Sequence, residues 1–508
     1  MHLQIVLAFA LLLWWPQRTP SYALVTTTWP SLAVVFGGVA LVWLAGAILS
    51  FATRARLRSN PARTHQALSF YHRITFVLRL LLLGSAACDL YLTAWPRILS
   101  RQDWLAIVPG LPQLAALAPY VLGLTGLWWI LFPVEQAARG PGGGAARSSR
   151  LRYVIFNIRH QVLVVALPLI VIVVTYAATD EKRAFFIRHL HSPWAPEAVL
   201  GLVSAALFVF APVMLRRVWA TSPLPDGPLR QRLLGVCSRI GLRVREILVW
   251  HSDGMVVNAA VMGLFPSVRY IMLSDALLES MTEEEIEAVF GHEAGHVRHH
   301  HIPYFLLFAL LSMLVCSGVM ELLMRMGTGR RAVWRLGPET VQVLGLLAVV
   351  PLWGIAFGWI SRRFERQADL FGARCAAPAS GELNCQTACA VHDHGVVSPA
   401  AQRYSVCAGG ANIFVRALRK VALLNGIPAE ERSWRHSSIA SRMHFLTALS
   451  GDPGLTRRFL RTIWKIKFAL IALDVAGLAF GAAYIWNHPA YRRAVTTSII
   501  EPLRQLFG

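Results

Sequence analysis

Apolar stretches about 20 residues long recur along this chain, and they limit its fold more than any other feature. A hydrocarbon core roughly 30 Å thick is crossed by about 20 helical residues. Such runs lie at 31–52, 75–95, 113–133, 160–178, 197–215, 302–323, 338–360 and 467–486. The composition agrees: 508 residues, 55% hydrophobic, 15% charged, mean hydropathy +0.50. That is too apolar for an ordinary soluble protein and too long for one domain. The expected fold is a mainly α, polytopic membrane protein with about eight transmembrane helices and inserted polar segments.

Lys and Arg number 49 against 27 Asp and Glu, a formal charge of +22. The arginines crowd into short loops between apolar runs, and no nucleic-acid motif interleaves them, so the charge reads as an orientation signal. The loop after the first long run carries Arg54, Arg56, Arg58, Arg63 and Arg73; the 134–159 loop carries Arg139, Arg147, Arg150, Arg152 and Arg159. The alternate loops 96–112 and 179–196 are nearly balanced. Counting spans puts 216–301 and 361–466 together on the cytoplasmic side; Arg325, Arg330, Arg331 and Arg335 in 324–337 run against this count. The short run from Leu3 to Trp15 reads either as a signal-peptide core ending near Ser21-Tyr22-Ala23 or as a short anchor. The expected organisation is therefore 1–30 signal peptide or anchor and 31–215 a five-span block. After these come 216–466, a polar domain interrupted by a two-helix hairpin at 302–360, and 467–508, a last span and tail.

Chemistry concentrates in the polar segments. Ile247 to Trp250, Tyr270 to Leu273 and Val256 to Ala260 read as short strands, giving an α+β domain with a small sheet. Thr282 with Glu285 forms a capping box, and Glu283 and Glu284 suit the positive end of the following helix. That helix runs into His292-Glu293-Ala294-Gly295-His296. Histidines four apart lie one turn apart on one helix face, so both imidazoles can bind one zinc ion, with Glu293 beside it as a general base. A catalytic zinc needs a third protein ligand and one open position. Glu365 is the best candidate, and Asp369, one turn on, is placed to fix the tautomer of a ligand histidine.

HEAGH, two apolar runs and then ERQAD resemble the integral-membrane zinc endopeptidases that include HtpX and the CAAX prenyl protease, metallopeptidase family forty-eight. The resemblance covers about residues 225–445 and implies a zincin-like catalytic domain with one catalytic zinc. Asn258-Ala259-Ala260-Val261-Met262-Gly263 matches the family's N-A-x-x-x-G segment, which implies an edge strand that binds substrate through Asn258, Ala259 and Gly263. Arg269 to Leu278 looks like the strand and turn before the metal helix. His436 and Arg442 keep the offset of its H-P-x-x-x-x-R segment, which implies that both face the scissile carbonyl; Ser437 stands where the family has proline.

The expected function is therefore zinc-dependent hydrolysis of peptide bonds in membrane or membrane-associated polypeptides. A role in membrane-protein quality control or processing, and a bacterial inner-membrane location, follow by analogy with the family. Two alternatives share the motif: a sensor-transducer of the penicillin-receptor kind and a catalytically silent metal-binding scaffold. The presence of Glu293 argues against the second, because zinc retention alone does not require it. His299, His300 and His301 read as interfacial side chains rather than a second metal site. Cys375, Cys385, Cys389, His392, His394 and Cys407 form a dense cluster whose spacing leaves a structural zinc open. Asp89 and Asp474, inside expected spans, should face protein or water, and Arg79 sits near a span end.

Overall fold

The computed structural model describes residues 2–14, 23–59, 64–139, 149–190, 194–327, 337–376, 404–431, 433–489, 492–493 and 496. Four residues of the cysteine–histidine cluster, at 385–394, lie outside this set. Seven described helices are long and apolar enough to cross a membrane. They coincide with seven of the eight expected spans. The eighth, 338–360, is the first part of a single 38-residue helix, Pro338–Cys375, that runs on through Glu365. The chain divides into two compact units.

The first unit, Met1–Thr221 with two short later segments, contains five of the spans. Without a hydrophobic drive between helices in lipid, polar hydrogen bonds and close packing hold such bundles. Here Trp43 Nε1 donates to Gly123 O (3.0 Å), Ser50 Oγ to Ile130 O (3.1 Å) and Tyr71 Oη to Glu135 Oε1 (3.0 Å). Asp89 is 3% exposed and faces protein, as expected of a carboxyl in a span. The short N-terminal apolar run forms a helix, His2–Ala10, with Ile5 and Ala8 buried.

The second unit holds the polar segments and the last two spans, His301–Met326 and Pro453–Asn487. Its sheet has four strands: β1 Thr221–Pro223, β2 Glu246–Trp250, β3 Ala259–Met262 and β4 Tyr270–Ser274, in the order β1-β2-β4-β3. β2 and β4 run parallel and are buried nearly throughout, which fits their continuous apolar runs. β3 pairs antiparallel with β4 from Ala259↔Leu273 to Met262↔Tyr270 and is an outer strand of the sheet among the described residues. It begins later than the pattern at 256–260 suggests, because the Val257 backbone is bound by the Asn425 side chain (Val257 N to Oδ1 3.2 Å, Nδ2 to Val257 O 2.8 Å). β1, three residues ending in proline, carries no alternation to read.

The metal helix, Glu283–Arg298, starts at Thr282 with both halves of the capping box in place. Its buried Glu287 is held by Arg232 and Arg239, each at 2.6 Å. The helix packs on Pro338–Cys375 at unusually close range, and glycines make that possible. A Cβ at Gly372 would stand 2.8 Å from Ala288 O, and one at Gly291 would stand 2.6 Å from the Cys375 Cβ. Where these two helices and the sheet meet, Ile271, Leu273, Phe290, Ala294, Leu370 and Phe414 share one buried core.

Candidate active site

The close helix pair brings His292, His296 and Glu365 together: one ligand atom from each lies within 4.8 Å of the others. The two Nε2 atoms are 3.4 Å apart, and Glu365 oxygens lie 3.7 Å from His292 Nε2 and 3.8 Å from His296 Nε2. Two imidazoles and a carboxylate converging with an open side suit a catalytic zinc. The fit is supported by what holds each donor from behind. Asp369 Oδ1 lies 2.9 Å from His292 Nδ1, a placement that favours the proton on that nitrogen and turns Nε2 toward the shared point.

His296 is held in the same way by a residue outside the motif. His301 Nε2 donates to Gln367 Oε1 (3.0 Å), leaving its Nδ1 to accept the Nδ1–H of His296 (2.9 Å). His301 is 0% exposed and stacks on Phe364 at 4.5 Å, so the expectation of an interfacial side chain is corrected. The cause is a backbone break: His300 adopts φ +56, which ends the metal helix and turns the first residue of the next helix back onto it. A straight helix would not bring residues five apart face to face. Histidine spacing therefore could not reveal this contact. Replacing His301 by alanine is expected to weaken zinc binding about 10- to 100-fold, read by titration against a chelator. Unchanged affinity would remove His301 from the site.

Burial and neighbouring charges act on each of these groups differently. Burial works to raise the Glu365 carboxyl, but the hydrogen bond of His436 and the neighbouring imidazoles outweigh it and hold Glu365 well below the usual carboxylate range. Burial, followed by the charge of His292, brings His296 down to about 4, which keeps its imidazole neutral. Burial also lowers His292, but the hydrogen bond and charge of Asp369 more than offset this. Burial raises Glu293, a direction that suits a base. Glu293 is not among the three converging ligands; its Oε2 accepts the Val261 N–H of β3 at 3.2 Å.

The other expected site residues are spread around this centre. Asn258, Ala259 and Gly263 lie along the edge strand: the Asn258 side chain is exposed, and Ala259 is buried. Gly263 has φ +106, and a Cβ there would stand 2.3 Å from Val268 O, so it shapes the turn out of β3. His436, its side chain 47% exposed, places Nδ1 3.0 Å from Glu365 Oε1 on the open side. Its loop is pinned to the long helix by Trp434, whose Nε1 donates to Gly354 O (2.9 Å) and whose carbonyl accepts from Arg362 (2.7 Å). Ser437 has φ +66, a conformation closed to proline. Arg442 differs from expectation. It is 7% exposed and grips both oxygens of Asp369, with Nε 2.9 Å from Oδ2, so it stands behind the three converging side chains. The reason is charge pairing: a buried carboxylate needs a cation, and Arg442 is the one that reaches it. Gln367, Asn425 and His301 are the positioning residues that sequence reasoning missed.

Residues 223–459 match the family model described as Peptidase family M48. A protease HtpX homolog from Pyrobaculum calidifontis is 27% identical over 354 residues, covering 65% of this chain and 98% of that protein. A CAAX prenyl protease 1 homolog from Arabidopsis thaliana is 29% identical over 194 residues, 36% of this chain and 44% of that protein. Here the chain spans under half the length of the relative. Among solved structures, the crystal structure of S. mikatae Ste24p matches with 16% identity and a TM-score of 0.37, covering 82% of this chain and 99% of that one. Residues 223–459 therefore carry the match to peptidase family M48, within a multi-pass membrane protein.

Proposed function

We propose that this chain is a zinc-dependent endopeptidase that cleaves membrane or membrane-associated polypeptides. The observation that carries the reading is the convergence of His292, His296 and Glu365, with the Glu293 carboxylate beside them and against the outer strand of the sheet. β3 pairs inward through Asn258, whose carbonyl accepts the Ser274 N–H at 3.0 Å, and turns its Val261 N–H toward Glu293. An extended peptide laid along that edge is held by main-chain hydrogen bonds with little demand on its sequence. Asn258 at the head of the strand contributes a further polar contact.

A zinc ion held by His292, His296 and Glu365 would polarise the scissile carbonyl and the attacking water. Glu293 takes the proton from that water and passes it to the leaving amine. His436, on the open side, donates to the developing oxyanion. Arg442 acts at a distance, fixing Asp369, which in turn fixes His292. On the loop charges we place the catalytic domain on the cytoplasmic side; by analogy with the family we assign the protein to a bacterial inner membrane and to quality control or processing of membrane proteins.

Removing the metal tests the reading directly. Purified protein treated with a strong chelator is expected to lose cleavage of casein or a membrane substrate, and stoichiometric zinc is expected to restore it. Zinc bound at one per chain with no turnover on any substrate would favour the silent scaffold.

A further inference from the structure

A second site lies beside the active centre, where the last span leaves the apolar layer. A cavity of about 600 Å³ opens between the end of the metal helix, the last turns of Pro338–Cys375 and the first turns of Pro453–Asn487. Five cationic side chains line it: Arg298, Arg374, Arg457, Arg461 and Lys467. No carboxylate lines it, and among the described residues no acid pairs with Arg298, Arg457, Arg461 or Lys467. Lys467 Nζ donates to the His299 carbonyl at 2.6 Å, which fixes one cation at the inner end. His299, Gln367 and Tyr404 add neutral polar groups, and the rest of the wall is apolar, including Leu370, Phe371 and Trp464.

The helix pattern sets the depth of this cavity. Arg457, Leu460, Arg461, Trp464 and Lys467 recur at three- and four-residue steps, so they share one face of the last span. The apolar stretch 467–486 alone fills a core of about 30 Å, which leaves Arg457 to Trp464 within about 15 Å of it, at headgroup level, with Lys467 at the boundary. Trp464 is 65% exposed at that level, as aromatic residues of the interfacial belt are. Arginine forks and a lysine match the oxygens of a phosphate, and the apolar wall beside them matches acyl chains.

We propose that this cavity binds the headgroup of an anionic phospholipid, with the phosphodiester among Arg298, Arg457 and Arg461. A free phosphate shares the anion chemistry but has no use for the apolar wall or for the depth of the site. The site is also close to the metal centre: Gln367, on the cavity wall, is the residue that orients His301. The proposal does not rest on the peptidase reading.

The test is native mass spectrometry of the full, zinc-loaded chain in neutral detergent, titrated with phosphatidylglycerol, phosphatidylcholine or inorganic phosphate. One phosphatidylglycerol is expected to bind per chain, at least about tenfold tighter than phosphatidylcholine, and millimolar phosphate is expected not to displace it. The double variant Arg457→Gln/Arg461→Gln is expected to weaken phosphatidylglycerol about tenfold or more. The control Arg54→Gln/Arg56→Gln, which removes the same charge from the first unit, is expected to keep it. Arg298→Gln, on a different helix, gives an independent loss should the double variant fold poorly. Equal losses in cavity and control variants, or no loss in either cavity variant, overturn the site. Displacement by phosphate at concentrations matching the lipid overturns the lipid as the source of the anion.

Discussion

Replacing Glu293 by glutamine is expected to lower proteolysis by about two to four orders of magnitude while the protein keeps one zinc per chain. Glutamine preserves the shape of the side chain and an oxygen to accept the Val261 N–H, so the strand edge stays where it is. It removes the one thing the reaction needs there, a group that binds a proton. The ligands are untouched, because the three converging donors are His292, His296 and Glu365. Metal analysis together with the cleavage rate checks both halves. Undiminished turnover by the variant would sink the mechanism, whereas loss of zinc would mean that Glu293 is a ligand after all. Because the variant should bind substrate without cutting it, polypeptides that co-purify with it would name the substrate class.

Asp369→Asn is expected to have the largest effect on stability, about 3–5 kcal/mol, with zinc affinity lowered about 10- to 100-fold. Asp369 is 0% exposed and Arg442 7%, and each is the other's counter-charge. Burial works to raise the Asp369 carboxyl, but the Arg442 guanidinium outweighs it and holds the group below the usual carboxylate range. Asparagine keeps the volume yet leaves a buried guanidinium without its charge. It also presents an amide where His292 Nδ1 needs an acceptor. Adding Arg442→Met should recover part of the stability but none of the zinc affinity, since methionine removes the stranded charge and not the lost acceptor. Thermal unfolding in detergent and zinc titration separate the two effects. A single variant that unfolds at the wild-type temperature and binds zinc unchanged counts against this account.

The elements read most easily were those whose signal is local. Span positions follow from run length, the metal-helix start from Thr282 and Glu285, and the two inner strands from apolar runs bounded by turns. β3 was found but displaced, because Asn425, more than 160 residues away, takes the Val257 backbone out of the ladder. His301 is buried rather than interfacial for a related reason. Its role depends on φ +56 at His300, and no side-chain pattern announces a left-handed histidine. Arg442 was read by its offset from His436, but offset says nothing about which way a buried guanidinium turns.

By itself, the sequence determined that the chain enters a membrane, that two histidines share one helix face with Glu293 between them, and that Glu365 and Asp369 lie one turn apart. Those are consequences of hydrophobic length and of 3.6 residues per turn, and both act within one element. Only the tertiary structure decided that the two helices meet at all, through glycines that let their backbones approach. It also decided that Arg442 serves Asp369 and that His301 serves His296. Those pairings arise because buried polar groups must find partners wherever the fold brings them, and the partner's distance in sequence is no guide to its identity.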